Sequence, residues 1–236
     1  MNLSRVTSRA QASVRVPRFR SGPLLRFGPR ALSTMGPSPR LQNQAIFVCD
    51  LQDRFRNAIW QFDKLLLTSQ KVLRAAKIFQ IPIVVTTQNK ARLGGIVPEL
   101  QELTAGAALN VDKTCFSMMV PEVSSHELLT SPEKRSVVIV GIESHICVTQ
   151  TALDLVLRGH RVYVLADGVS SCNEQEIPVA LARLRAEGVI VTTSESWMYE
   201  TMGDAGVAEF KEVAKLVKES AGDTKTVLTG LLSSRI

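Results

Sequence analysis

The sequence is poor in several things, and each scarcity closes off a class of protein. No apolar run approaches the ~18–20 residues that cross a bilayer, so a membrane-inserted helix is not expected. Only four cysteines occur in 236 residues (Cys49, Cys115, Cys147 and Cys172), and none pair as C-x-x-C. That count is too low for a disulfide scaffold, and the spacing is wrong for a structural zinc site. Histidine is scarcer still, with His126, His145 and His160 alone and none between positions 50 and 112. Glycine-rich phosphate cradles of the Walker or dinucleotide type are missing, so no cofactor is implied. No internal repeat is present.

Acidic residues are absent from one region. Residues 1–40 hold eight arginines but no lysine, aspartate or glutamate, and the first acidic residue is Asp50. Residues 41–236 hold 20 basic and 22 acidic residues, so the net charge of +6 over the whole chain becomes −2 there. The basicity therefore belongs to the leader. An Arg-rich, Ser/Thr-rich, acid-free N-terminus has the composition of a mitochondrial transit peptide, and Arg30-Ala31-Leu32-Ser33 reads as a matrix-protease site cut after Leu32. The competing reading is a basic arm on nucleic acid, but interleaved aromatics and structured motifs are lacking. A mitochondrial matrix protein with no nucleic-acid partner is expected, and reduced cysteines with it.

The remainder, 45% hydrophobic and 21% charged counted over the whole chain, is sufficient for one core. Ala45–Cys49, Ile83–Thr86, Leu109–Val111, Ser136–Ile142, Arg161–Ala166 and Val189–Thr193 read as strands, and Ser136–Ile142 is continuously apolar, as in a strand covered on both faces. Helices are predicted over 64–80, 146–158, 175–187 and 204–219, with Gly159 and Gly188 as stops and Val207, Phe210, Val213 and Val217 as the last apolar stripe. This alternation predicts an α/β fold: a doubly wound, mostly parallel six-stranded sheet with helices on both faces, in three layers. The domain is placed at 41–219, with 220–236 as a C-terminal tail.

In such sheets ligands bind beyond the carboxyl ends of the strands, at the topological switch point. Asp50 follows the first strand, Lys113 ends near the third, and Cys147 follows the fourth. Singly, each has a structural explanation: a helix cap, a solvated charge, a small buried filler. Jointly they bring an acid, a cation and a thiol to one edge.

The segments that carry them, Phe47-Val48-Cys49-Asp50-Leu51-Gln52, Asp112-Lys113-Thr114-Cys115-Phe116-Ser117 and Gly141-Ile142-Glu143-Ser144-His145-Ile146-Cys147-Val148, resemble the three signature blocks of the isochorismatase-like cysteine hydrolases. The likeness runs over roughly 41–219, in the family order Asp, Lys, Cys. It implies a catalytic triad of Asp50, Lys113 and Cys147, with Asp50 taking the thiol proton and later returning it to a leaving amine. It further implies a cis peptide between Ile142 and Glu143, an oxyanion hole from the backbone N–H groups of Glu143 and Cys147, and a homo-oligomer. The predicted helix start at Cys147 favours an anion there, and acylation of the sulfur followed by hydrolysis is the chemistry such an arrangement performs.

Departures from the family narrow the substrate. The missing histidines remove the metal ligands of nicotinamidases, so no metal is expected. True isochorismatases lack this cysteine, so Cys147 favours a small carbonyl–nitrogen substrate (amide, imide or carbamoyl) over a vinyl ether. Ether hydrolysis without acylation and a non-catalytic binding or scaffold role stay open. Phe55, Phe116 and Trp197 are candidate pocket walls or plain core aromatics, and His145 reads as a rim or capping residue. Cys49 and Cys115 read as core packing. Gly94-Gly95 is a lid or merely a turn.

Overall fold

The structure, a computed structural model, describes residues 41–232. The leader expected over residues 1–40 lies outside the described residues. Strand β1 (Ala45–Cys49) is buried at every position, and alternation along it decides which layer each side chain joins. Ile46 and Val48 enter one apolar cluster, while Phe47 and Cys49 enter the other. A short 3₁₀ turn, Asp53–Phe55, leads to α1 (Phe62–Ile78), whose buried stripe includes Leu65, Leu66, Val72, Leu73 and Ala76. Pro82 separates α1 from β2 (Ile83–Gln88). Then come α2 (Pro98–Thr104), β3 (Leu109–Lys113) and, after a loop with two short helical turns, β4 (Ser136–Ile142). A π-helical turn, Ser144–Val148, precedes α3 (Thr149–Leu157). The chain continues through β5 (Arg161–Ser170), α4 (Glu176–Ala186), β6 (Ile190–Thr192), α5 (Ser194–Met202), α6 (Phe210–Glu219) and α7 (Ala221–Leu232).

The six strands lie in the order β3-β2-β1-β4-β5-β6, and every neighbouring pair is parallel. The expected sheet is therefore parallel throughout. Winding reverses between β1 and β4, so the two strands diverge into helices on opposite faces and leave a crevice beyond their carboxyl ends. The layer on one face holds residues of α1, α2, α5 and α6, and the opposite layer holds residues of α3 and α4. β1 and β4 approach closely at Cys49↔Gly141. Gly141 has φ +123°, and a Cβ there would sit 2.1 Å from the Cys49 carbonyl oxygen, so only glycine fits.

Several elements differ from the sequence reading. β5 runs on past Ala166 to Ser170: between the pairs Ile139↔Val164 and Gly141↔Val169 it carries three more residues than β4, an irregularity after which Gly141 and Ile142 pair Val169 and Ser170. α5 was not expected, since its apolar residues do not form a clean stripe. The last expected helix begins at Phe210 rather than 204, because Gly206 N–H donates to Asp204 Oδ1 in a tight turn. Residues 221–232, expected as a tail, form α7 against α1 and β5, with Val227 and Leu231 buried. Its apolar positions are diluted by threonines and glycines, which hid the helical period.

Candidate active site

Asp50 leaves β1 in the left-handed region at φ +52°, a costly conformation for a side-chain residue and one that aspartate tolerates better than most. It is held there from several sides. Its N–H donates to Thr86 O at 3.2 Å, and Thr86 Oγ1 donates to Asp50 Oδ1 at 2.8 Å. The Cys49 thiol donates to Oδ2 at 3.6 Å. Lys113 Nζ donates to the same Oδ2 at 2.7 Å. Both members of this ion pair are buried, with side chains 0% and 2% exposed.

Lys113 reaches Asp50 from two strands away, a spacing of about 10 Å. The last residue of β2 fills the gap: Lys113 Nζ also donates to Gln88 Oε1 at 2.7 Å and to the Cys115 carbonyl at 3.1 Å. Gln88 is fixed in turn by Gln52, whose Oε1 accepts from Gln88 N–H at 2.6 Å and whose Nε2 donates to the Gly94 carbonyl at 2.6 Å. All three ammonium protons are thus committed, and the cation cannot swing away from the carboxylate. Burial pulls the Lys113 ammonium down, but its electrostatic interaction with the Cys49–Asp50 corner and its hydrogen bond to Asp50 outweigh that and leave the group above the ordinary lysine value. Burial pushes the Cys49 thiol well up, aided by its hydrogen bond with Cys147 and by the Asp50 charge. Cys49 is therefore a neutral thiol at pH 7, and the anion that Lys113 meets there is Asp50.

The third group arrives from β4. The Cys147 sulfur, the Cys49 sulfur and an Asp50 carboxylate oxygen lie within 4.8 Å of one another. Cys147 sits within the π-helical turn, not at an α-helical first turn as expected, and a widened turn of this kind is frequent at functional sites. The turn is pinned by Thr149 Oγ1 donating to the Ser144 carbonyl and by Thr151 Oγ1 donating to the Cys147 carbonyl, each at 2.6 Å. The Ile142–Glu143 peptide bond is cis, and Glu143 opens the turn that ends just beyond Cys147.

The remaining candidates divide. Phe116 is 52% exposed, one residue past the carbonyl that Lys113 holds. His145 Nδ1 is 3.0 Å from Ser171 Oγ, at the end of β5. Phe55 packs against the α1 layer, whereas Cys49 and Cys147 belong to the opposite one. Trp197 is not a pocket wall: it is fully buried, stacked edge-on to Phe79, and donates through Nε1 to Gln44 Oε1 just before β1, at the sheet edge opposite Asp50. The helix α5 that carries it was not foreseen, so its position was not either. Cys115 is exposed rather than core packing, and Cys49 lines the site as well as the core. Thr86, Gln88 and Gln52 were missed as supports. As strand-end polar residues fully or largely withdrawn from water, Thr86 and Gln52 carried the signal only once burial was visible.

Comparison with known proteins identifies the family of the chain. A family model described as Isochorismatase domain matches residues 44–196. Isochorismatase domain-containing protein 2 of Homo sapiens is 40% identical over 182 residues, covering 77% of this chain and 86% of its own length. Isochorismatase domain-containing protein 1 of Danio rerio is 43% identical over 187 residues, 79% of this chain and 63% of that protein. The solved MAR1 ribonuclease of Caenorhabditis elegans is 40% identical with a TM-score of 0.71, over 76% of this chain and 91% of its own.

Proposed function

The chain belongs to the isochorismatase family of hydrolases, and from that premise we propose that it cleaves a carbonyl–nitrogen bond of a small molecule through an acyl-enzyme on Cys147. The single observation that carries this reading is the convergence of a buried carboxylate, its ammonium partner and a thiol within one crevice. In the first step Asp50 accepts the Cys147 proton and the sulfur attacks the carbonyl carbon. The backbone N–H groups of Glu143 and Cys147 receive the oxyanion. Collapse breaks the C–N bond as Asp50 returns the proton to the departing amine. Water then attacks the thioester as Asp50 takes its proton, and the C–S bond breaks to release the acid while Asp50 returns that proton to the Cys147 sulfur. Lys113 keeps Asp50 in place and balances its charge throughout. Cys49, a neutral thiol, packs against both partners without competing as a nucleophile.

The reading includes a mitochondrial matrix address, supported by the Arg-rich, acid-free composition of residues 1–40, and a homo-oligomer, checked by light scattering. Among the described residues, no helix is long and apolar enough to cross a membrane.

The decisive experiment incubates the protein with a panel of small amides, imides and carbamoyl compounds, an isochorismate-type ether and an RNA strand, followed by intact mass and product analysis. The RNA is included because the worm relative is named a ribonuclease, although the net charge of −2 over 41–236 disfavours it. Turnover of a C–N substrate, with an acyl adduct on Cys147 and loss in Cys147→Ala, is the expected result. Turnover retained by Cys147→Ala overturns acylation in favour of ether-type or RNA chemistry. No turnover of any compound overturns the enzyme reading in favour of a binding protein.

A further inference from the structure

A second cluster lies beside the crevice, outside the chemistry just described. β4 and β5 are parallel neighbours paired at Ile142↔Ser170, so the residues that follow each strand emerge side by side. Glu143 and His145 follow β4 and Cys172 follows β5, and one ligand atom from each lies within 4.8 Å of the others. Their spacing in the chain carries no motif; the strand register alone assembles them.

We propose that Glu143, His145 and Cys172 form a binding site for a thiophilic divalent cation of the zinc class, at the rim of the crevice. The donor set selects the ion. A thiolate, an imidazole and a carboxylate suit a borderline-soft metal, whereas calcium and magnesium require oxygen ligands. Two of the ligands are already oriented by the same short segment: Cys172 N–H donates to Glu143 Oε2 at 2.8 Å, and His145 Nδ1 lies 3.0 Å from Ser171 Oγ. Such outer contacts fix carboxylate and ring for coordination. Glu143 and His145 are half-buried and Cys172 is exposed, so an ion enters from solvent and a fourth position stays open to water. Binding forms the metal–sulfur bond as the Cys172 thiol releases its proton to solvent.

The neighbouring trio Cys49, Asp50 and Cys147 meets the same distance limit but is a poor cation site. It is buried, and the Lys113 ammonium already occupies the Asp50 carboxylate at 2.7 Å. A second cation there would meet that charge at close range in a low-dielectric setting.

Cobalt(II), a spectroscopic stand-in for zinc, tests the assignment on the full chain. The expected result is one equivalent bound, with a sulfur-to-cobalt charge-transfer band that zinc bleaches. Cys172→Ser abolishes the band, His145→Ala weakens binding by more than the roughly 10–100-fold lost with an outer-shell partner, and Cys115→Ser and Cys147→Ser retain it. In the unmodified protein, zinc slows alkylation of Cys172 but not of Cys115, a readout independent of any variant's folding. A band that survives Cys172→Ser, a band lost in Cys147→Ser, or alkylation of Cys172 unaffected by zinc would each overturn the proposal.

Discussion

Two lysines of this domain, Lys113 and Lys71, are each only 4% exposed, yet their surroundings drive them in opposite directions. Lys113 donates directly to a carboxylate, an amide oxygen and a carbonyl, and ends above the ordinary lysine value. Lys71, on α1, donates to the Thr224 hydroxyl at 2.9 Å; Asp167, Glu195 and Asp223 act on it through space, and burial pulls it down. Asp167 is committed elsewhere, accepting from Ser194 N–H at 2.8 Å and Ser194 Oγ at 2.5 Å, and burial pushes its carboxyl up. The difference separates a buried charge that ties α7 to α1 from one that builds a reaction site. Burial is common to both. Direct pairing, with every donor committed and a sulfur alongside, is present only at the strand ends.

The comparison breaks first at Lys113. Lys113→Met leaves the Asp50 carboxylate buried without its cation, at a cost of about 3–5 kcal/mol. Turnover of whichever C–N substrate the panel identifies should fall on the order of 10²–10⁴-fold, the usual share of a positioned acid–base group. Urea unfolding and steady-state kinetics read the two effects, and full activity in the variant would remove the ammonium from the mechanism. Next is the close approach beneath the crevice: Gly141→Ala, with its Cβ forced onto the Cys49 carbonyl in a positive-φ conformation, should cost about 3 kcal/mol. A wild-type urea midpoint would show that β4 can move aside.

Lys71→Met sharpens the contrast from the other side. It exchanges a poorly paired buried ammonium for an apolar chain of similar length, so stability should change by only about 1 kcal/mol and turnover not at all. A loss of activity as large as that of Lys113→Met would erase the distinction. The smallest effect concerns pH. The Asp167 carboxyl is raised in the folded state, so the folded protein holds that proton more tightly than the unfolded chain. Its favourable contribution is complete below the unfolded aspartate value of about 3.9 and is lost as pH rises through the higher folded value. Asp167→Asn, which keeps an acceptor for Ser194 N–H, should flatten this decline. Parallel slopes of stability against pH in both proteins would show that Asp167 does not titrate differently on folding.

The legible parts of the fold share a property: their signal is local. Ala45–Cys49 and Ser136–Ile142 are continuous apolar runs, and each is found as a strand with those bounds. Asp50, Lys113 and Cys147 each sit in a distinctive block at the end of a strand. Where the signal was mixed, the reading failed. The strand read over Arg161–Ala166 continues through Asp167-Gly168 to Ser170, with an irregular stretch of β5 opposite Val140 that no local pattern announces. Trp197 stood open between a pocket wall and a core aromatic, and it is core, packed against Phe79 and Gln44 at the edge of the sheet away from Asp50.

The amino-acid sequence by itself determined the alternation of strands and helices, and with it a parallel sheet whose carboxyl edge carries reactive side chains, because burial periodicity and turn chemistry act over a few residues. Only the tertiary structure decided which distant residues meet. Strand order and register bring Gln88 between Lys113 and Asp50, set Cys49 against Cys147, and gather Glu143, His145 and Cys172. Such meetings depend on which strands pair and where each one ends, and those are properties of the assembled sheet rather than of any segment of the chain.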